Sequence, residues 1–261
     1  MSAGNHPVAT GRQAAADAID APGTPEPEWA AWLPLAALPA VPLPTGPVVV
    51  VAAHPDDEVL GFGGAMAELA AAGTEVHLVS VTDGEGSHPR SARIDQARMA
   101  RVREAELLAA LAELGLPGLR PTRLRVPDTQ VHRHETRVAD AIAGLVRDVG
   151  AALCVAPWTG DLHSDHEAAG RAAAVACAAG GPPLWFYPVW MWHWARPGDP
   201  RVPWAAAARL PMPAGTLARK HRAVRCFTSQ TAPLAEGEEN AAILPPDELA
   251  HHTRPFEVVL R

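Results

Sequence analysis

From residue 47 onward the chain alternates between short apolar runs rich in β-branched residues and longer stretches with helical spacing. The runs 48–53, 75–82, 123–126, 152–158 and 184–189 have the length and composition of strands. The stretches 60–72, 94–114, 135–149 and 167–179 read as helices, the first two stopped by Gly73 and Gly115. This alternation predicts an α/β, Rossmann-like fold, with a mostly parallel sheet, helices on both faces and right-handed crossovers. A 3-2-1-4-5 strand order is expected, which sets the first and fourth strands side by side where the order reverses. Past Trp190 the regularity fades. A short helix carrying Arg219, Lys220, His221, Arg222 and Arg225 leads to Phe227-Thr228-Ser229-Gln230, and 255–260 reads as a final strand.

Residues 1–46 are rich in Ala, Pro and Gly and lack sustained periodicity. They are expected to form an N-terminal extension, partly disordered at its start, that then lies over the body through Trp29, Trp32, Leu33 and Leu35. Residues 47–261 are expected to form a single domain. No residue from Trp29 to Ala53 is charged, yet Pro34, Pro39, Pro42, Pro44 and Pro47 exclude a membrane helix there. No basic segment followed by an unbroken apolar one marks a secretion signal. The widely spaced Cys154, Cys177 and Cys226 read as buried thiols in a reducing, cytoplasmic compartment and not as a disulfide framework.

Composition narrows the function classes. With 261 residues, 48% of them apolar, the chain can bury a substantial core. A net charge of −7, from 22 basic and 29 acidic side chains, offers no footprint for nucleic acid. The stretch Trp190-Met191-Trp192-His193-Trp194, with Trp185 and Trp204 nearby, reads as core or cover for the sheet edge, with a sugar-binding wall as the second reading.

Two polar clusters end apolar strands. The run 48–53 stops at His54-Pro55-Asp56-Asp57-Glu58, where proline and acids mark the start of a helix. His54 and Asp57 on such a loop can converge on a divalent ion such as zinc. The run 152–158 stops at 159–167, which contains His163, Asp165 and His166. Taken alone, an Asp-Asp-Glu triplet is ordinarily a solvated helix start and a histidine pair three apart a solvated surface. The expected strand order brings both loops to the crevice at the switch point, and that convergence points to a metal site.

The segment Ala53-His54-Pro55-Asp56-Asp57-Glu58, together with His163-Ser164-Asp165-His166, resembles the PIG-L/LmbE-like zinc-dependent N-acetyl-sugar deacetylases, which carry A-H-P-D-D-E and a later H-x-D-H. Further matches follow in order: Asp83-Gly84-Glu85, Arg103-x-x-Glu106 with Ala110 and Leu114-Gly115, Pro127-Asp128, and Lys220 through Ser229-Gln230. The resemblance covers about residues 47–261. It implies an LmbE-like fold in which His54, Asp57 and His166 bind zinc, with Fe2+ or another divalent metal as the alternative. Asp56 would be the general base, His163 would support the oxyanion, and Arg103 and Asp128 would hold sugar hydroxyls. Asp165 would orient a histidine, and Glu58 would support the loop or cap the helix.

Three protein ligands leave room for a water, the arrangement of a catalytic centre. The implied activity is removal of an acetyl or acyl group from the amide of an N-acetylated amino sugar or its glycoconjugate. The implied partner is that small molecule or a glycosylated natural product, with no nucleic acid and no membrane; homo-oligomerisation stays open. Rival readings are an amidase acting on a thiol-sugar conjugate, a 2-His-1-carboxylate iron oxygenase, and a catalytically inactive binding module. One departure stands out. Some relatives carry a tyrosine two residues before the first histidine of the second motif, where this chain has Asp161, and Tyr187 is its only tyrosine.

Overall fold

A computed structural model describes residues 14–261 apart from 16, 20 and 179. In chain order its main elements are α1 (Glu26–Ala31), α2 (Leu33–Ala36), β1 (Val48–Ala52), α3 (Asp57–Ala71), β2 (Val76–Ser80), α4 (Gln96–Glu113), β3 (Thr122–Arg123) and α5 (Glu135–Val149). There follow β4 (Leu153–Pro157), α6 (Ser164–Cys177), β5 (Leu184–Tyr187), α7 (Met191–Trp194), β6 (Ala207–Pro211), α8 (Ala214–Val224), α9 (Thr228–Thr231), α10 (Pro246–Ala250) and β7 (Phe256–Leu260).

The sheet order is β3-β2-β1-β4-β5-β7-β6. The first five strands are parallel and stand in the expected order. β7 then pairs antiparallel with β5 through Phe186↔Leu260, and β6 pairs antiparallel with β7 from Ala207↔Leu260 to Pro211↔Phe256. β6 escaped the sequence reading because its alanine-rich start has no strand character of its own; the edge of β7 recruits it. β3 is two residues long where four were expected: Arg125, at φ 50°, interrupts the regular ladder, although Leu124 N and Val126 N still donate to Ser80 O and Val81 O, both at 2.9 Å.

β1 shows why the sequence carries a run of four valines. Val48, Val50 and Ala52 face α3, α4 and α8 in one core layer, whereas Val49, Val51 and Ala53 face α5 and α6 in the other. A central parallel strand is covered on both faces, so no position along it is polar. Helix α3 packs closely because Gly61 lets the Tyr187 ring approach and Gly64 lets Met212 approach; a Cβ at these positions would lie 2.1 Å and 2.0 Å from them. The Gly64 and Ala65 N–H groups donate to the Glu257 carboxylate at 2.6 Å and 2.9 Å, while Lys220 Nζ donates to Leu60 O and Glu257 Oε1, both at 2.7 Å.

Most of the tryptophans do build core. Trp29, Trp158 and Trp192 are buried in a third cluster, where the Trp29 indole donates to Trp192 O at 2.9 Å. Residues 24–38 thereby lie against α7, β6 and β7, and Thr24 Oγ1 donates to Ala195 O at 2.6 Å. The expected disorder at the start of the extension falls outside the described residues. The three thiols are free, Cys154 buried and Cys177 and Cys226 half-buried. No helix among the described residues is long and apolar enough to cross a membrane.

Two outcomes follow from this packing. Gly61→Ala forces a methyl group into a Tyr187 ring whose hydroxyl is tied to Val51 O at 2.8 Å. Overpacking of that kind costs roughly 1–3 kcal/mol, to be read as a lowered urea midpoint; an unchanged midpoint would show that the ring yields freely. His193 joins α7 to Glu248 on α10 and to Ala21 O, and the Glu248 hydrogen bond lifts its pKa above the usual 6.5. A raised folded-state value gives stability that is complete below the unfolded pKa of 6.5 and is lost as pH rises through the folded one. The melting-temperature gap between the parent and Glu248→Gln should therefore be widest in mild acid and close towards alkaline pH.

Candidate metal centre and active site

The carboxyl ends of β1 and β4 are neighbours, paired from Val48↔Leu153 to Val50↔Val155, so the loops that follow them meet. After β1 the chain turns through His54-Pro55 and reaches Asp56 at φ 136°, a conformation that costs a non-glycine residue about 1–3 kcal/mol. From there Asp56 O accepts from Val59 N and Leu60 N at 2.9 Å and 2.8 Å, opening α3 earlier than the apolar pattern indicated. After β4, Leu162 at φ 65° turns the chain so that His163 caps α6 and His166 sits in its first turn. Thr129, at φ 67°, turns the loop after β3 against them. Two of the four non-glycine residues with positive φ among those described, Asp56 and Thr129, thus line one cleft, and Leu162 directly precedes its His163, at a place where strain is characteristically stored.

At its floor Asp57 faces two histidines. Asp57 Oδ1 lies 3.2 Å from His166 Nε2 and Asp57 Oδ2 lies 3.4 Å from His54 Nδ1. A tetrahedral ion with bonds of about 2.0–2.1 Å separates its ligand atoms by about 3.3 Å. Behind the ligand atoms the opposite ring nitrogens are held: His166 Nδ1 by Asp161 Oδ2 at 2.7 Å, and His54 Nε2 by Asp165 Oδ2 at 3.3 Å and Asp128 Oδ1 at 3.2 Å. Ligating atoms of His54, His163 and His166 lie within 4.8 Å of one another, as do those of His54, Asp128 and Asp165. The second trio is less suited to an ion. Asp165 already accepts from Thr129 N and Val131 N at 2.7 Å and 3.2 Å, and Asp128 from Gly86 N at 2.9 Å.

The electrostatics are those of a cation site. Asp56, Asp57, Glu58, Asp161 and Asp165 are all buried here. Burial works to strip His54 of its proton, yet Asp128, Asp165 and Asp57 hold its pKa well above the ordinary value. Burial likewise opposes the charge on His166, but Asp57 and Asp161 carry its pKa to about 9. Asp57, despite its own burial, is pulled well below the usual carboxylate range by His166 and His54. Two protonated imidazoles thus balance carboxylates that a divalent ion would balance in their place, releasing those protons on binding. The donor set therefore fits a divalent metal.

The remaining groups divide by charge state. Burial raises Asp56 to about 6 against the pull of Arg103, and Glu58 to about 8. Burial together with the charges on His166 and His54 drives His163 down to about 3, so this ring is neutral; its Nδ1 is buried without a partner.

The structure brings His54, Asp56, Asp57, Glu58, Arg103, Asp128, His163, Asp165 and His166 together around this cleft. Arg103 is more engaged than the sequence suggested: it donates to Asp56 Oδ2 at 2.9 Å, Pro55 O at 2.6 Å and Gly84 O at 3.1 Å. Glu106, one turn further along α4, accepts from Ser229 N and Ser229 Oγ, both at 2.7 Å, and so fixes Gln230 at the cleft wall.

Asp161 is the important residue that sequence reasoning missed. Fully buried, it accepts from His166 and also from Val189 N, Trp190 N and Met191 N at 3.0, 2.9 and 2.9 Å. The available signal was a carboxylate five residues before a candidate ligand, on the same loop.

The family described as PIG-L, GlcNAc-PI de-N-acetylase, matches residues 49–177, a stretch that contains both histidine clusters. That stretch resembles a PIG-L domain. A 1D-myo-inositol 2-acetamido-2-deoxy-alpha-D-glucopyranoside deacetylase from Nocardioides sp. is 31% identical over 166 residues, 52% of this chain and 55% of that protein. Its counterpart from Mycolicibacterium smegmatis is 43% identical over 79 residues, 28% of this chain and 27% of that protein. The chain thus spans about half the length of the first of these curated relatives, and less of the second.

Among solved structures, the zinc-inhibited form of teicoplanin deacetylase Orf2 aligns at TM-score 0.59 and 20% identity, over 82% of this chain and 97% of that one. The conserved protein TT1542 from Thermus thermophilus aligns at TM-score 0.52 and 26% identity, over 71% and 80%. N,N'-diacetylchitobiose deacetylase from Pyrococcus horikoshii aligns at TM-score 0.53 and 20% identity, over 70% and 69%. The chain shares their fold.

Within this domain Asp161→Ala would leave three backbone N–H groups and one imidazole nitrogen without their acceptor. We expect a stability loss of roughly 3 kcal/mol and divalent-metal affinity weakened by about 10–100-fold, read by thermal melts and metal titration. Lowered stability with unchanged metal affinity would confine Asp161 to folding.

Proposed function

We propose that this chain is a metal-dependent hydrolase that removes the acetyl group from an N-acetylated amino sugar or its glycoconjugate. In this reading His54, Asp57 and His166 hold the ion, with zinc the favoured occupant. When bound, such an ion supplies a water acidified towards hydroxide near neutral pH and a Lewis acid for the amide carbonyl.

The chain's own groups do the rest. Asp56, whose pKa near 6 suits proton transfer close to neutrality, accepts the water's proton and returns it to the departing amine. Arg103, at 2.9 Å, fixes that carboxylate in place. The neutral His163 ring turns an N–H towards the carbonyl oxygen as negative charge builds there. Asp128, beside Gly86, and any donor capacity left to Arg103 meet sugar hydroxyls on the same side as Asp56. Asp165 and Asp161 hold the two ligand rings from behind, and Glu58 accepts from Asp56 N at 3.4 Å.

The observation that carries this reading is one carboxylate, Asp57, standing 3.2 Å and 3.4 Å from two imidazole nitrogens, with a buried carboxylate of raised pKa next to it in the chain. The names of the curated relatives support an N-acetyl amino sugar as substrate class.

The test combines metal analysis with acetate release from a panel of N-acetyl sugars that includes the inositol glucosaminide. Asp56→Ala should keep the metal and lose about 10²–10⁴-fold in kcat, whereas His166→Ala should lose both metal and turnover. Equal metal loss in the two variants would overturn the role assignment. Iron- and keto-acid-dependent oxygen uptake without acetate release would favour the oxygenase instead.

A further inference from the structure

The cleft of about 280 Å³ has two chemically unlike walls. One comes from the loops after β2 and β3, where Arg103 is tied to Gly84 O and Asp128 to Gly86 N, with Ser87 alongside. The other comes from Leu60 on α3 and from Val189 and Trp190 on the loop after β5, while Ile243 and Leu244 line the cleft from a segment that Ala241 O and Gln230 tie to His88 and Ser87 of the loop after β2. In the sheet order, β2 and β3 lie on one side of the β1/β4 junction and β5 on the other, so the polar wall and the Val189–Trp190 loop approach the candidate centre from opposite sides.

The position of Asp56 orients a substrate between them. The group that returns a proton to the departing nitrogen must face that nitrogen, and Arg103 holds the Asp56 carboxylate on the polar side at 2.9 Å. The amine and its sugar therefore lie along the polar wall, and the other substituent of the amide carbon, the acyl chain, points the opposite way. There it meets Leu60, one helical turn after Asp57, and Trp190, whose N–H is held by the carboxylate that also holds His166. Trp190 and Ile243 are half-buried and line the cleft, and Leu244 N is anchored to Gln230 O at 2.9 Å. An acetyl methyl group covers little of such a wall.

We propose that the acyl subsite is this apolar wall and that the enzyme accepts N-acyl amino sugars with chains longer than acetyl. The proposal rests on the hydrolase reading for the direction of the amide, and on the wall itself for chain length.

Each methylene moved from water onto an apolar surface is worth about fourfold in binding, so two are worth about fifteenfold. The experiment compares kcat/KM for N-acetyl- and N-butyrylglucosamine conjugates of the same aglycone, in the parent and in Trp190→Ala and Trp190→Gln. The expected result is a butyryl-to-acetyl ratio of at least one in the parent that falls about tenfold or more in the variants. A parent ratio below one, or a ratio the variants do not move, overturns the proposal. Should Trp190→Ala fail to fold, Trp190→Gln, which keeps more of the side chain's volume than alanine does but not its apolar face, carries the comparison.

A readout independent of turnover is calorimetric binding of acetate, butyrate and hexanoate to the zinc-loaded protein. Affinity should rise from acetate to butyrate and flatten in the variants; equal affinities sink the acyl subsite. If no N-acyl sugar is hydrolysed while the carboxylates still show the chain-length trend, the amino-sugar reading fails and the apolar subsite stands.

Discussion

Asp57 shares one carboxylate between two histidines that belong to loops far apart in the chain, and the rest of the site is arranged to let it do so. The sharing needs β1 and β4 side by side, which the crossover after β3 provides. It also needs both rings turned correctly, which Asp161, Asp165 and Asp128 enforce from behind. A buried carboxylate with two buried imidazoles is costly unless each charge meets its opposite, so the ring orientations and charge states are set together. Removing any one of these acids would leave another group buried without compensation.

The same constraint explains features of the scaffold that otherwise look expensive. Asp56 occupies a strained backbone conformation because its neighbour must fold back onto His54 N while its own side chain reaches Arg103. Helix α3 then has to start at a fixed height, and the Lys220–Glu257 pair fastens it there through Leu60 O and the Gly64 and Ala65 N–H groups. Such a pair, fully buried, is weak evidence for stability as such. Its value here is geometric, since it ties the C-terminal strand to the helix that opens with the candidate ligand.

Much of this arrangement was legible in the chain. Parallel strands buried on both faces announce themselves as runs of Val, Ala and Leu, and the order of the first five followed from short right-handed crossovers. The two histidine clusters could be placed at the switch point because each directly ended such a run. What was not legible came from tertiary context. β6 becomes a strand only because β7 leaves an edge beside it. Asp161 looked like a departure from a tyrosine found in some relatives, because nothing local shows that three backbone N–H groups and a ring nitrogen will converge on it. Arg103 read as a holder of sugar hydroxyls; only the fold reveals that it also holds Asp56.

Asp161 also couples two parts of the site that the sequence keeps separate. Its carboxylate touches both the His166 ring and the backbone that carries Val189 and Trp190, so the orientation of a candidate ligand and the position of the apolar wall depend on one buried group. A displacement of the loop after β5 would draw on the same oxygens that hold His166, and a rotated His166 ring would release that loop. Under the proposed acyl subsite, chemistry and acyl recognition are therefore coupled through the backbone of this loop and not through the Trp190 ring. A change in Trp190 that leaves the backbone N–H in place can alter chain-length preference alone, whereas a change that shifts the loop must disturb the candidate metal centre as well.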